Sequence, residues 1–293
     1  MTDAADGGWF PGAGGAKLFR RSWGDAGAAR GHVLLVHGLG EHAGRYEPVG
    51  TFLSGRGFAV HAADMRGHGR SPGRRGHVAR LGLLVEDLEA LRAAAVPEQT
   101  GAPIFVFGHS LGGLVAGRFV LAADPGTLRG VVFSAPFVEA AVRVPGWKRT
   151  LGAVADAVAP GLTLDNGLPL EDIFRREADR LAWEADPLVH RRISARTWGE
   201  MRRGAAVLRS GASRLDVPAL FLLAGDERIV SNEAARDLAA RLEPAARIRE
   251  YEGARHALFH DPQAPAALED LAGWLDERVE PPAAGEPTRG RTG

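Results

Sequence analysis

The chain has 293 residues, 45% of them hydrophobic, with 36 basic and 36 acidic side chains and no cysteine. Balanced charge excludes recognition of nucleic acid or an acidic membrane by a long-range field. The missing thiols exclude disulfides, cysteine catalysis and thiolate metal sites.

A chain of this length suits one large α/β domain that carries an insertion. Its first residues lack the basic and apolar stretches of a secretory signal. No apolar run approaches the ~20 residues that span a bilayer. A soluble, cytoplasmic protein is therefore expected.

In chain order, residues 17–23 suggest an antiparallel edge. Short apolar runs follow at 32–36, 58–62, 103–107, 130–133, 219–223 and 247–251. Between them lie helix candidates at 46–54, 80–95, 114–123, 232–241 and 265–279. Strands alternating with helices predict a mostly parallel central sheet flanked by helices on both faces.

The alternation stops over residues 137–209, where helical spacing persists, as in Trp147, Leu151, Val154 and Val158, without a convincing buried strand. This stretch reads as an inserted helical cap over a core made of 1–136 and 210–280. Residues 281–293, rich in Pro, Gly and Ala, read as a disordered tail.

One pentapeptide carries the chemistry. Gly108-His109-Ser110-Leu111-Gly112 sits directly after an apolar run and directly before a helix pattern, which is the context of a nucleophile elbow. A second match, Gly69-Arg70-Ser71-Pro72-Gly73, fails on physical grounds. The residue after the nucleophile must lend its N–H to an oxyanion, and Pro72 has none. Ser71 reads as part of a loop.

Serine needs a base, and the base needs an acid that fixes its tautomer. In such sheets the chain order is serine, acid, histidine. Of the histidines after the last strand candidate, His256 follows the turn Glu252-Gly253-Ala254 and is expected to project over the carboxyl edge of the sheet. His260, before Asp261-Pro262, reads as a surface or capping residue.

The acid is Asp226 or Glu227, adjacent carboxylates after the run 219–223. The loop His37-Gly38-Leu39-Gly40-Glu41-His42 is expected to supply Leu39 N–H as a second oxyanion donor beside Leu111 N–H. His37 and His42 have no metal-site spacing and read as structural hydrogen-bonding groups.

Three blocks, HGLGEHAGRY at 37–46, DMRGHGRS at 64–71 and GHSLGG at 108–113, resemble the monoacylglycerol lipase and lysophospholipase-like branch of the α/β-hydrolases. Asp186-Pro187-Leu188 and Tyr251-Glu252-Gly253 extend the resemblance, which spans most of residues 15–280. It implies an α/β-hydrolase fold and a serine-dependent ester hydrolase with no cofactor or metal.

Relatives place an aspartate immediately before the basic residue after this strand. Here that register falls on Glu227, which favours it over Asp226.

The expected substrate is a monoacylglycerol or similar small acyl ester. Trp147, Leu151, Val154 and Val158 are candidates for an acyl-chain route or for a cap face that touches a membrane surface transiently. A serine peptidase or acyltransferase on the same residues, and a non-catalytic ligand-binding protein, are the competing expectations.

Overall fold

The computed structural model describes residues 6–124, 126–141, 152, 154–242 and 244–279. Among them runs one eight-stranded sheet in the order β1-β2-β4-β3-β5-β6-β9-β10. Its strands are β1 (Asp6–Pro11), β2 (Lys17–Trp23), β3 (Gly31–Val36), β4 (Phe58–Ala63), β5 (Ile104–His109), β6 (Gly130–Ser134), β9 (Ala219–Ala224) and β10 (Ala246–Tyr251). From β4 to β10 every neighbouring pair is parallel, while β1 and β2 form an antiparallel edge on β4. The central strands read as unbroken apolar runs because helices bury both faces.

Alternation along each strand divides the core in two. On one face Leu34, Val36, Val106, Phe221 and Leu223 pack with α2 (Leu81–Ala95) and α3 (Leu111–Ala122). On the other, Val33, Leu35, Phe105, Phe107, Leu220 and Leu222 pack with α1 (Glu47–Ser54) and with the last helix, Ala264–Val279. Parallel strands deliver all their following loops to one edge, where ligands bind in sheets of this kind. The loops after β3, β5, β9 and β10 meet there.

The elements match the sequence expectations within a few residues, with three differences. The first strand, β1, has no alternating pattern, since Gly7 and Gly8 dilute it; its pairing with β2 defines it. The second is the start of α3, which begins at Leu111 rather than three residues later, immediately after Ser110.

The third lies between β6 and β9, where no strand was expected. Here β7 (Thr163–Asp165) pairs antiparallel with β8 (Arg192–Ser194). Three-residue strands on a largely exposed ribbon carry no readable hydrophobic period.

The same stretch holds α4 (Leu170–Ile173), α5 (Glu177–Glu184) and α6 (Ala195–Ser210), followed after β9 by α7 (Asn232–Ala240) and after β10 by α8 (Ala264–Val279). Helix α6 is part of the main core: Met201, Ala205 and Leu208 join the cluster built on α2 and α3. Trp147 and Leu151 lie outside the described residues, as does the segment 281–293.

Glycine sets how closely α3 approaches the sheet. A Cβ on Gly112 would collide with the carbonyl oxygens of Val36 and His37, and one on Gly108 with the Gly112 carbonyl. By contrast, Gly273 in α8 has nothing within 4 Å of the position a Cβ would take.

Gly112→Ala is therefore expected to destabilise the fold by about 1–3 kcal/mol or more through backbone overpacking. Gly273→Ala is expected to stabilise it by about 0.5–1 kcal/mol. Urea denaturation of the two variants checks both signs.

Candidate active site

Ser110 occupies the junction between β5 and α3 with φ 52° and ψ −116°, a region side chains rarely enter. Such strain costs about 1–3 kcal/mol and persists only where surrounding bonds over-determine it. They do so here. Ser110 N–H donates to the Ser134 carbonyl at 3.0 Å, while the Ser110 carbonyl accepts from Gly113 at 2.9 Å, Leu114 at 3.2 Å and Phe137 at 2.9 Å. The side chain is thereby held at the sheet edge.

Leu39 lines the same cavity as Ser110, and Leu111 follows Ser110 directly in the chain. Among the described residues, neither Leu39 N–H nor Leu111 N–H has a hydrogen-bond partner within the protein. Leu111 is the first residue of α3, where helix geometry leaves N–H groups free and the dipole favours negative charge. The flanks of Leu39 are pinned. Gly38 N–H donates to Glu41 Oε1 at 2.9 Å, and the His37 ring joins the Gly38 carbonyl at 2.8 Å and Met65 N–H at 3.0 Å.

His256 follows β10 and is buried. Its Nδ1 lies 2.9 Å from Glu227 Oε2, and Glu227 Oε1 accepts from Ile229 N–H at 2.8 Å and Val230 N–H at 3.3 Å. A proton on Nδ1 donated to the carboxylate leaves Nε2 as the free lone pair of the neutral ring.

Burial disfavours a charged imidazole, yet the Glu227 charge and hydrogen bond, with Glu41 behind them, outweigh it and raise the His256 pKa. Burial likewise opposes the Glu227 carboxylate, but His256 and the two backbone donors hold its pKa below the ordinary value.

Of the two adjacent carboxylates, Glu227 reaches His256. Asp226 turns outward to Arg228 and Arg255, each at 3.0 Å. His260 differs from its expectation as a surface or capping residue. Its ring packs near Phe174, burial first and then the Arg45 charge push its pKa down to about 4, and Nε2 is buried without a partner.

Ser110 and His256 line one cavity of about 360 Å³ together with Gly38, Leu39 and Glu41. No hydrogen bond joins the Ser110 hydroxyl to the imidazole among the described contacts; such contacts commonly tighten only when substrate is bound. The remainder of the cavity is mainly apolar, walled by Phe137, Phe174, Trp183, Ile193, Trp198 and Met201, with Asn166, Arg191 and Arg228 also in its lining. Val154 and Val158 do not line it. They are 54% and 80% exposed, which removes them as cavity walls and leaves them on the outer surface.

Sequence reasoning gave Glu41 no role, although it stands in the HGLGEH block. The structure buries it beside the site, where Tyr46 O–H donates to it at 3.2 Å. Burial alone would raise its pKa, but His109, Arg45 and His37 outweigh that and hold it at about 2. His109 is itself pushed down to about 4, chiefly by burial. The aromatic residues of 137–209 were the available signal for the cavity walls.

A doubly covered parallel sheet, a strained serine at a strand-to-helix junction and a histidine from the loop after its last strand define an α/β-hydrolase. A sequence profile described as Serine aminopeptidase, S33, matches residues 27–263. Monoacylglycerol lipase of Mycolicibacterium smegmatis is 31% identical over 275 residues, 91% of this chain and 95% of its own. Human monoglyceride lipase is 29% identical, over 90% of this chain and 88% of its own. Among solved structures, a monoacylglycerol lipase of Paleococcus ferrophilus superposes with a TM-score of 0.81 at 34% identity, covering 89% of this chain and 99% of the other.

The chain belongs to the serine aminopeptidase S33 family of α/β-hydrolases, in its monoacylglycerol lipase-like branch. It is an enzyme of the ester hydrolase type.

NMR titration of His256 should give a pKa above 6.5 in the native enzyme, in line with the raising effect of Glu227. In Glu227→Gln the charge is gone and burial dominates, so the pKa should fall below 6.5. An unchanged titration in that variant would contradict the pairing.

Proposed function

We propose that the protein hydrolyses monoacylglycerols or similar single-chain acyl esters through an acyl-enzyme on Ser110. The observation that carries this reading is the strained Ser110 in one cavity with the His256–Glu227 pair.

As Ser110 Oγ attacks the ester carbonyl, His256 Nε2 takes its proton. Leu39 and Leu111 N–H groups hold the resulting oxyanion. Collapse breaks the ester bond, and the departing alcohol receives the proton from His256. Water then repeats the sequence on the acyl-serine, releasing the fatty acid. Glu227 keeps the imidazole in the required tautomer and stabilises its charged form. Asp226, paired with two arginines, has no part in this relay.

The apolar walls favour an acyl chain over a peptide, which supports esterase over peptidase chemistry. The names of the relatives in the monoacylglycerol and monoglyceride lipase group point the same way. We read the described residues between β6 and α6 as a cap that walls this cavity, and α6 itself, within the expected cap span 137–209, as part of the core it covers.

No helix among the described residues is long and apolar enough to cross a membrane. We assign membrane contact, where it occurs, to the exposed cap residues Val154, Val158, Leu162 and Leu164. Exposed apolar side chains of this kind can rest in an interface without spanning it.

A fluorophosphonate probe should label the native enzyme and leave Ser110→Ala unlabelled; labelling that survives in the variant would overturn the assignment. Glu227→Gln should lower kcat by about 10³–10⁴-fold, whereas Asp226→Asn should stay within about tenfold. Because His256 acts in its neutral form, kcat/KM should fall as acid protonates it, with the midpoint above pH 6.5. Turnover of glycerol monoesters across a chain-length series should favour long acyl chains over acetate; equal rates would remove the acyl-cavity reading.

Val158→Asp should weaken co-sedimentation with phosphatidylcholine vesicles while soluble short-chain ester turnover is unchanged. Equal vesicle binding by both forms would refute the assigned membrane face.

A further inference from the structure

The loop after β3 is gripped from two sides. From the core side, His37 and Glu41 pin Gly38. From the other side comes a strap formed by Asp186 and the residues that follow it, up to β8. His190 N–H donates to the Gly40 carbonyl at 2.9 Å. Gly40 has φ 82°, and a Cβ there would collide with the His190 carbonyl, so strap and loop backbones are in direct contact. The His190 ring also packs against the buried His68 ring, with centroids 4.7 Å apart.

One side-chain contact completes the grip. His42 Nε2 lies 2.8 Å from Asp186 Oδ2. Gly44 N–H donates to His42 Nδ1 at 3.1 Å, so Nδ1 is an acceptor and the ring proton resides on Nε2, donated to Asp186. Asp186 Oδ1 accepts Leu188 N–H at 2.9 Å, which fixes the carboxylate in turn. The residue is held, its partner is held, and the partner terminates the loop that carries Leu39.

Between these anchors Leu39 N–H has no hydrogen-bond partner among the described residues. A loop pinned at Gly38, Gly40 and His42 has little freedom to turn that donor elsewhere. Oxyanion stabilisation depends on such pre-set direction, and a displacement of about 1 Å costs about 10²-fold in rate.

We propose that Asp186 is a positioning residue for the oxyanion hole: through His42 it holds the loop that aims Leu39 N–H at the developing negative charge. The inference rests on the reading of Ser110 as nucleophile and Leu39 as oxyanion donor. Asp186 touches no substrate. It acts by the strap, which makes the oxyanion donor dependent on the seating of the segment between β6 and β9.

Asp186→Ala should lower kcat by ~30–100-fold, within the range for losing an oxyanion donor, and leave KM within about threefold, since ground-state binding is unaffected. Affinity for an alkyl boronic acid, which forms a charged tetrahedral adduct on the serine, should fall by about the same factor as kcat. Asp186→Asn keeps an acceptor for His42 and should recover activity to within about fivefold of native.

Ser194→Ala serves as the control. Ser194 Oγ joins His77 Nδ1 at 3.0 Å and caps α6, so its loss loosens the same seam without reaching the loop. Its kcat should stay within about twofold of native.

The proposal is overturned if Asp186→Ala retains native kcat, if kcat falls with no loss of boronate affinity, or if Ser194→Ala loses as much activity as Asp186→Ala. Residual hydrolysis by Ser110→Ala at the native rate would instead overturn the nucleophile assignment, a result separable from all three. Thermal melts of each variant, with midpoints above the assay temperature, ensure that the comparison is made on folded protein.

Discussion

The site depends on how closely one helix can press its first turn against the ends of two strands. Gly108 and Gly112 remove the Cβ atoms that would hold α3 away from β3 and β5. The chain can then reverse in a single residue, and that residue is Ser110. Its positive φ is the cost of the sharp turn, offset by the bonds from Ser134, Gly113, Leu114 and Phe137. Move the helix outward and the hydroxyl, the Leu111 donor and the contact with β3 would all shift together.

Around this turn the protein keeps two carboxylates out of water, and each is matched. Glu227 has its imidazole and two amides; Glu41 has Arg45, the Tyr46 hydroxyl and Gly38 N–H. A buried carboxylate without such partners would take up a proton rather than remain charged. The opposite directions of the His256 and Glu227 pKa shifts express one interaction, since each charge favours the other. Asp226 shows what happens to the neighbouring carboxylate that finds no buried partner: it stays at the surface among arginines, screened by solvent.

Much of this was legible beforehand. The parallel strands announce themselves as apolar runs because both faces are covered, and the pentapeptide around Ser110 could be told from its counterpart around Ser71 by the chemistry of Pro72. Ser71 Oγ indeed accepts the Phe19 N–H at 2.9 Å, a loop contact. The register of Glu227 against Arg228 likewise pointed to the carboxylate that contacts His256. What could not be read was set by distant contacts: β1 exists through its pairing, β7 and β8 are too short to show a period, and the cavity walls come from aromatic residues on separate elements. Val154 and Val158 illustrate the limit, because helical spacing gives a shared face without giving the side on which it lies.

Helix α6 closes the segment between β6 and β9, yet it is seated in the main core, with Gly204 against Leu81 and Gly117 against Leu208. The covering segment is thus stitched into the body at both hems, upstream where Ala140 bridges Val230 and downstream where α6 sinks Met201, Ala205 and Leu208 into the interior. A change on the inner side of α6 would therefore disturb roof and interior together.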